Sequence, residues 1–172
     1  MKDRGHRTSR TEHATIGPAC IAYRARLLSR VISAIYDEAL APLGLKGSQL
    51  NVLSALARRG PCAQTELCSL LEMEKSTLSR NIERMRRRGW LAANVSTDNR
   101  THTVRLTPKG TKLFRNASPF WRKAQQEAGR RIGDEGVAAL GTLIRRLQAF
   151  ENVETKTAER QEMDPASHAG VA

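Results

Sequence analysis

At 172 residues the chain has room for one domain with helical extensions. Hydrophobic residues make up 40%, enough for a real core, while aromatics at 4% favour helices packed with Leu, Ile and Ala over a β-sandwich. The formal net charge is +12, and setting aside +2 on residues 1–16 and −3 on residues 151–172 leaves +13 on residues 17–150, so the excess lies on the folded part and marks a surface for a polyanion.

Residues 1–16 are polar and aperiodic and read as a disordered basic arm. The opening MKDRGHRTSRTEHATIG lacks the apolar stretch of a secretory signal, and no apolar run approaches the roughly 20 residues that span a bilayer, so a cytoplasmic location without membrane attachment is expected. From Ile21 the apolar positions Ile21, Ala25, Leu28, Ile32, Ile35 and Ala39 advance in steps of three and four, one stripe on a long helix. Pro42 ends that helix near Ala41, and Gly44 permits the turn that follows. Ser48 is the expected cap of a second helix carrying Leu50, Val52, Leu53 and Leu56, which Gly60 and Pro61 terminate. Gln64 or Thr65 opens a short third helix, TELCSLL.

The next segment, LLEMEKSTLSRNIERMRRRGWLAANVSTDNRTHTVRLTPKG, is the most informative. A helix from Lys75 to about Arg88 carries six basic residues, places Leu78, Ile82 and Met85 on a core face, and stops at Gly89. Candidate strands Trp90–Val95 and Thr103–Leu106 flank the polar turn STDNRTH. Thr107 and Pro108 start a long helix through Leu113, Phe114, Ala117, Trp121 and Ala124, which Pro119 should kink or divide. Val137, Leu140, Ile144 and Leu147 form the stripe of a last helix, and residues 152–172 lose periodicity.

The expected fold is mainly α with a small β-hairpin wing: a winged helix-turn-helix plus terminal dimerisation helices. Its expected parts are a disordered basic arm (1–16), an N-terminal dimerisation helix (17–46), the winged helix-turn-helix DNA-binding region (47–107), C-terminal dimerisation helices (108–151) and a disordered tail (152–172). The dimer is expected because a unit of residues 47–107 cannot bury the outer stripes, and each large aliphatic side chain left in water forfeits roughly 1.5–3 kcal/mol. The alternative is that the terminal helices fold back on their own core.

A winged helix lays its basic helix in the major groove of DNA and its loop in the adjacent minor groove. The outward face of the basic helix offers Lys75, Ser76, Thr77, Ser79, Arg80, Glu83, Arg84 and Arg87. Arg80 is the best candidate for a bidentate contact to guanine, and the short hydroxyls suit base edges or phosphate. Arg84 and the run Arg86, Arg87, Arg88 suit the phosphate backbone, with a helix end that complements its own dipole as the plainer account of Arg88. In the wing tip, Arg100 can enter a narrow minor groove, and Asp98 either orients an arginine or serves as an ordinary turn residue.

The segment DNRTHTVRLTPKG fits D-x-R, five residues, L-T, two residues, G, and resembles the wing and following helix of the MarR family of bacterial regulators. EKSTLSRNIERMRRRGWL is similar to that family's recognition helix, and YDEALAPLGLKGSQLNVLSAL to its first-to-second helix junction. The resemblance covers about residues 20–150. It implies a homodimer of winged helices on a palindromic double-stranded operator, in most members a repressor released by a small aromatic effector or an oxidant. It also implies that Arg80 and Arg100 are the base- and minor-groove-reading arginines and that Asp98 is the wing aspartate. One position departs: the turn before the recognition helix usually carries glycine and here holds Glu72, at a cost of about 1 kcal/mol if that residue is left-handed.

For an effector pocket, Tyr23, Arg24, Arg26, Tyr36 and Trp121 can pair an aromatic face with a cation, while Tyr36 and Trp121 also suit an interface core. Cys20, after Pro18 and near Arg24, is a candidate redox sensor, close to but not at the place of the sensing cysteine in some relatives. An odd count of three cysteines argues against a disulfide framework. The spacing of Cys62 and Cys68 and the scattered histidines give no metal site, and no cofactor is expected. No phosphate-cradling glycine loop and no rigid pair of acids supports an enzyme. Two other readings stay open: a regulator that senses oxidants through Cys20, and a winged-helix adaptor for proteins without specific DNA binding. RNA binding lacks the stacking aromatics it needs on the basic face.

Overall fold

The computed structural model describes residues 19–95 and 102–162. In chain order the elements are α1 (Ile21–Leu40), a 3-10 turn (Ala41–Leu43), α2 (Gly47–Arg59), β1 (Cys62–Ala63), α3 (Gln64–Leu71), α4 (Lys75–Arg87), β2 (Leu91–Val95), β3 (His102–Leu106) and a helical segment, α5, that starts at Pro108 and runs to Glu162. They form two compact units divided after Glu127.

In the first unit, α1 gives way to the 3-10 turn holding Pro42, and Gly44 reverses the chain in a left-handed conformation at φ 63°. α2 starts one residue before the expected cap. Its first turn is satisfied from outside: the Asp37 carboxylate of α1 accepts from the Gly47 N–H at 2.8 Å, and Gln49 Oε1 accepts from the Lys46 N–H at 3.1 Å. Ser48 is therefore not the cap, because its own backbone already lies within the first turn. Gly60, at φ 84°, closes α2.

α3 ends where Glu72 takes φ 49° and ψ 44°, and the Met73 N–H reaches back to the Cys68 carbonyl at 3.0 Å. This is the Schellman pattern that normally recruits glycine. The helix-turn-helix geometry is kept here with a glutamate in the strained position. α4 closes in the same way with a true glycine: Gly89 is at φ 70°, and the Trp90 N–H bonds the Met85 carbonyl at 2.9 Å.

The sheet is antiparallel in the order β1-β3-β2. β2 pairs with β3 from Leu91 opposite Leu106 to Val95 opposite His102. β1 pairs Cys62 with Val104 and Ala63 with Thr103. This third strand was not foreseen, since two residues carry no readable alternation.

The motif L-T-P-K-G has a local physical basis. Thr107 Oγ lies 2.7 Å from the Gly89 carbonyl and 3.1 Å from the Trp90 carbonyl, and it accepts from the Gly110 N–H at 3.0 Å. The hydroxyl thus caps the start of α5 and ties it to the end of α4. Position 110 admits only glycine, because a Cβ there would lie 2.0 Å from the Trp90 carbonyl oxygen.

Leu40, Leu45, Val52, Leu53, Leu67, Leu78, Met85 and Val104 are almost wholly buried and form one core with Trp90, Leu91 and Ala117. The helical run beginning at Pro108 passes through Pro119 without leaving helical dihedrals. The expected division at Pro119 does not occur. Pro119 and Arg115, whose carbonyl loses its partner, both lie on the exposed side where water can compensate.

In the second unit the helical dihedrals are interrupted at Gly133 (φ 74°, ψ 162°), a conformation open to glycine. The helix then continues past the expected end at 151 to Glu162. That stretch, ENVETKTAERQE, contains many good helix formers. Val137, Leu143, Ile144 and Leu147 are exposed. Among the described residues, no helix is long and apolar enough to cross a membrane.

Candidate nucleic-acid interface

α4 is the second helix of the helix-turn-helix, and its two sides differ sharply. Leu78, Asn81, Ile82 and Met85 are buried. Asn81, which the sequence reading left unassigned, is held by the Ser48 hydroxyl of α2 at 3.5 Å, a polar pin at the crossing of the two helices. Lys75, Ser76, Thr77, Ser79, Arg80, Arg84, Arg86, Arg87 and Arg88 are exposed. The structure thus brings together the α4 candidates on one side of one helix. Asp98 and Arg100 lie outside the described residues.

The cations of this helix are not equivalent. The Glu83 carboxylate accepts from Arg86 Nη1 at 3.2 Å and from Arg87 Nε at 3.0 Å. Arg88 donates through Nη1 to the Gly44 carbonyl, and its guanidinium lies 4.9 Å from the centroid of the Trp90 ring. A Cβ on Gly44 would approach the flexible tip of that guanidinium to 3.0 Å, so it is the positive φ of the turn that calls for glycine. Arg88 is therefore a brace between the α1–α2 turn and the end of α4, as sequence alone could not show. Among the described residues, Arg80 and Arg84 have no ion pair or hydrogen-bonded side-chain partner. They are the two guanidinium groups of the helix left open to a ligand, and they are one turn apart.

Two cavities border this region within the first unit. One, of about 450 Å³, lies where α3, α4 and β2 meet and is lined by Cys68, Lys75, Ser79, Glu83 and Arg86 among others. The other, of about 350 Å³, lies between α2 and the first part of the helix after β3, lined by Leu50, Ser54, Phe114, Arg115 and Trp121. Of the expected pocket residues, Trp121 lines the second of these cavities. Tyr23, Arg24 and Arg26 are exposed and line neither. Tyr36 spends its hydroxyl on Gln125 Oε1, and burial raises its phenol above the ordinary value. Arg115 was missed because it meets Trp121, six positions on, only as a common lining residue of the cavity that α2 completes.

Cys20 is the partly exposed residue that precedes α1, and Cys62 is buried in β1. The Cys62 thiol is pushed up first by burial and then by Glu66, with Arg59 opposing, so its thiolate is disfavoured. Among the described residues, no group of three or more His, Cys, Asp or Glu side chains is placed to hold a metal ion.

A buried-and-capped second helix with an open cationic face, followed at once by a small antiparallel sheet, defines a winged helix-turn-helix of the DNA-binding class. Comparison with known proteins gives the same class. A family model described as MarR family matches residues 43–100. The uncharacterized HTH-type transcriptional regulator YwoH of Bacillus subtilis is 32% identical over 117 residues, covering 68% of this chain and 85% of that protein. The transcriptional regulator MosR of M. tuberculosis, solved in complex with DNA, is 32% identical with a TM-score of 0.62, covering 74% of this chain and 98% of that one. BpsR of Bordetella bronchiseptica, whose DNA binding is regulated by 6-hydroxynicotinic acid, shares the fold at 24% identity and a TM-score of 0.66, covering 74% and 98%. The chain belongs to the MarR family of transcriptional regulators.

Proposed function

We propose that this regulator acts in the cytoplasm as a homodimer that reads a palindromic operator with one α4 per half-site and represses until a small effector releases it. The observation that carries this reading is the open pair Arg80 and Arg84 on the exposed side of α4, beside Lys75, Ser76, Thr77 and Ser79. Residues in the first turns of a recognition helix reach base edges and later ones meet phosphates. Arg80 is accordingly the base-reading residue, a bidentate donor to guanine, and Arg84 a phosphate contact. By the family resemblance, Arg100 enters the minor groove and Asp98 is the wing aspartate. The exposed stripe of α1 and that of the second unit would each be covered by a second copy of the chain.

For the effector, the cavity beside Trp121 and Arg115 suits a planar aromatic acid: an indole face, a guanidinium and an apolar wall from Leu50 and Phe114. BpsR's regulation by a hydroxylated pyridine carboxylic acid supports that chemistry.

The test is anisotropy titration against a duplex selected by the protein from a randomised pool and against a scrambled duplex. Arg80→Ala should cost about 1–3 kcal/mol on the selected duplex and little on the scrambled one. Arg84→Ala should weaken both alike and flatten the salt slope by about one. Equal losses on the two duplexes for Arg80→Ala would contradict base reading.

A further inference from the structure

Glu83 is the one acidic side chain on α4, and it stands among the cations. Its two carboxylate oxygens are divided between two neighbours, Oε2 taking Arg86 at 3.2 Å and Oε1 taking Arg87 at 3.0 Å. Arg80, one turn earlier, and Arg84, beside Glu83, are left without such a partner among the described residues. The three paired side chains stay 46%, 48% and 76% exposed, so water screens the pairs and they open readily. Their strength is therefore not the point; the charge balance on a face turned toward a polyanion is.

We infer that Glu83 is a specificity-determining residue, which withholds Arg86 and Arg87 from the phosphates of arbitrary DNA and leaves discrimination to Arg80 and the hydroxyls before it. The inference rests on the DNA-reading function proposed above. Non-specific binding is nearly all counterion release, with a slope of about 0.9 for each phosphate neutralised. Arg86 or Arg87 can neutralise a phosphate only by leaving Glu83, and the stripped carboxylate then faces the same backbone with like charge. Base-reading contacts by Arg80 bear no such penalty. Selectivity is a difference of affinities, so suppressing the weaker one sharpens it at no cost to the stronger.

The experiment compares the full-length dimer and Glu83→Gln on the pool-selected duplex and on a scrambled duplex across a salt series. Glu83→Gln should bind scrambled DNA tighter, by roughly fivefold for each guanidinium freed, with a salt slope steeper by about one to two. Affinity for the selected duplex should rise less, so the ratio between the two narrows. Adding Arg86→Gln and Arg87→Gln to Glu83→Gln should return the scrambled-DNA slope to the wild-type value. Unchanged scrambled-DNA affinity in Glu83→Gln overturns the inference. A gain that persists in the triple variant also overturns it, since the lost charge alone would then be sufficient. If wild-type protein selects no preferred sequence, the DNA-reading function falls first and this inference falls with it; if it selects one and Glu83→Gln behaves as wild type, only the inference falls.

Discussion

The winged-helix body and α1 dispose of their apolar side chains in opposite ways. Among the residues from Leu40 to Ala117 whose side chains are described, Leu70 is the one large apolar side chain given as exposed, and Leu40, Leu45, Val52, Leu53, Leu67, Leu78, Met85 and Val104 pack into one core. In α1 only Ile35 and Leu40 are buried, and Ile21, Leu27, Leu28 and Val31 remain in water at 82%, 42%, 37% and 42%. Among the described residues of the first unit, the body closes its core and α1 keeps an exposed apolar stripe. Exposed apolar surface of this kind is what the proposed homodimer would cover.

The difference can be broken at either region. The largest effect is expected from charging the stripe: Leu28→Glu with Val31→Glu should give a monomer by sedimentation and lower affinity for the selected duplex at least about 100-fold, since linked half-site binding is lost. The body should still melt cooperatively. A variant that stays dimeric and binds normally would place the interface elsewhere. Next comes the junction that closes the body. Gly110→Ala drives a Cβ onto the Trp90 carbonyl and should cost about 1–3 kcal/mol or more in urea denaturation. An unchanged midpoint would mean that α5 is not seated against the end of α4 as described. The smallest effect is expected at the helix-turn-helix turn. Glu72→Gly relieves a left-handed glutamate, partly offset by a looser unfolded chain, for a net gain on the order of 0.5 kcal/mol and no change in DNA affinity. A loss of stability there would show that the glutamate side chain itself contributes to the turn.

Features governed by local rules could be read directly from the residues. The stop at Pro42 and Gly44, the core face Leu78, Ile82 and Met85, the close of α4 at Gly89 and the strained Glu72 each depend on spacing or on backbone φ, which sequence encodes nearly one residue at a time. Features that depend on what packs beside them could not. β1 is visible only through its partner β3. The α2 cap comes from Asp37, ten residues away. The helix tolerates Pro119 because the freed carbonyl lies outside, and the interruption falls instead at Gly133. The run of arginines read as phosphate contacts, with a dipole-complementing helix end as the alternative for Arg88, whereas the fold assigns Arg86 and Arg87 to Glu83 and Arg88 to Gly44 and Trp90. Charge content was legible in the sequence, but which charges stay free was not.

The central claim is that two copies of α4, held apart by the apolar stripes, read one two-fold site. Hydroxyl-radical footprinting of the full-length protein on its selected duplex tests this most directly. The expected result is two protected blocks related by inversion, their centres about 34–36 Å or one helical turn apart. A single protected block, or equal protection of the scrambled duplex, would contradict it.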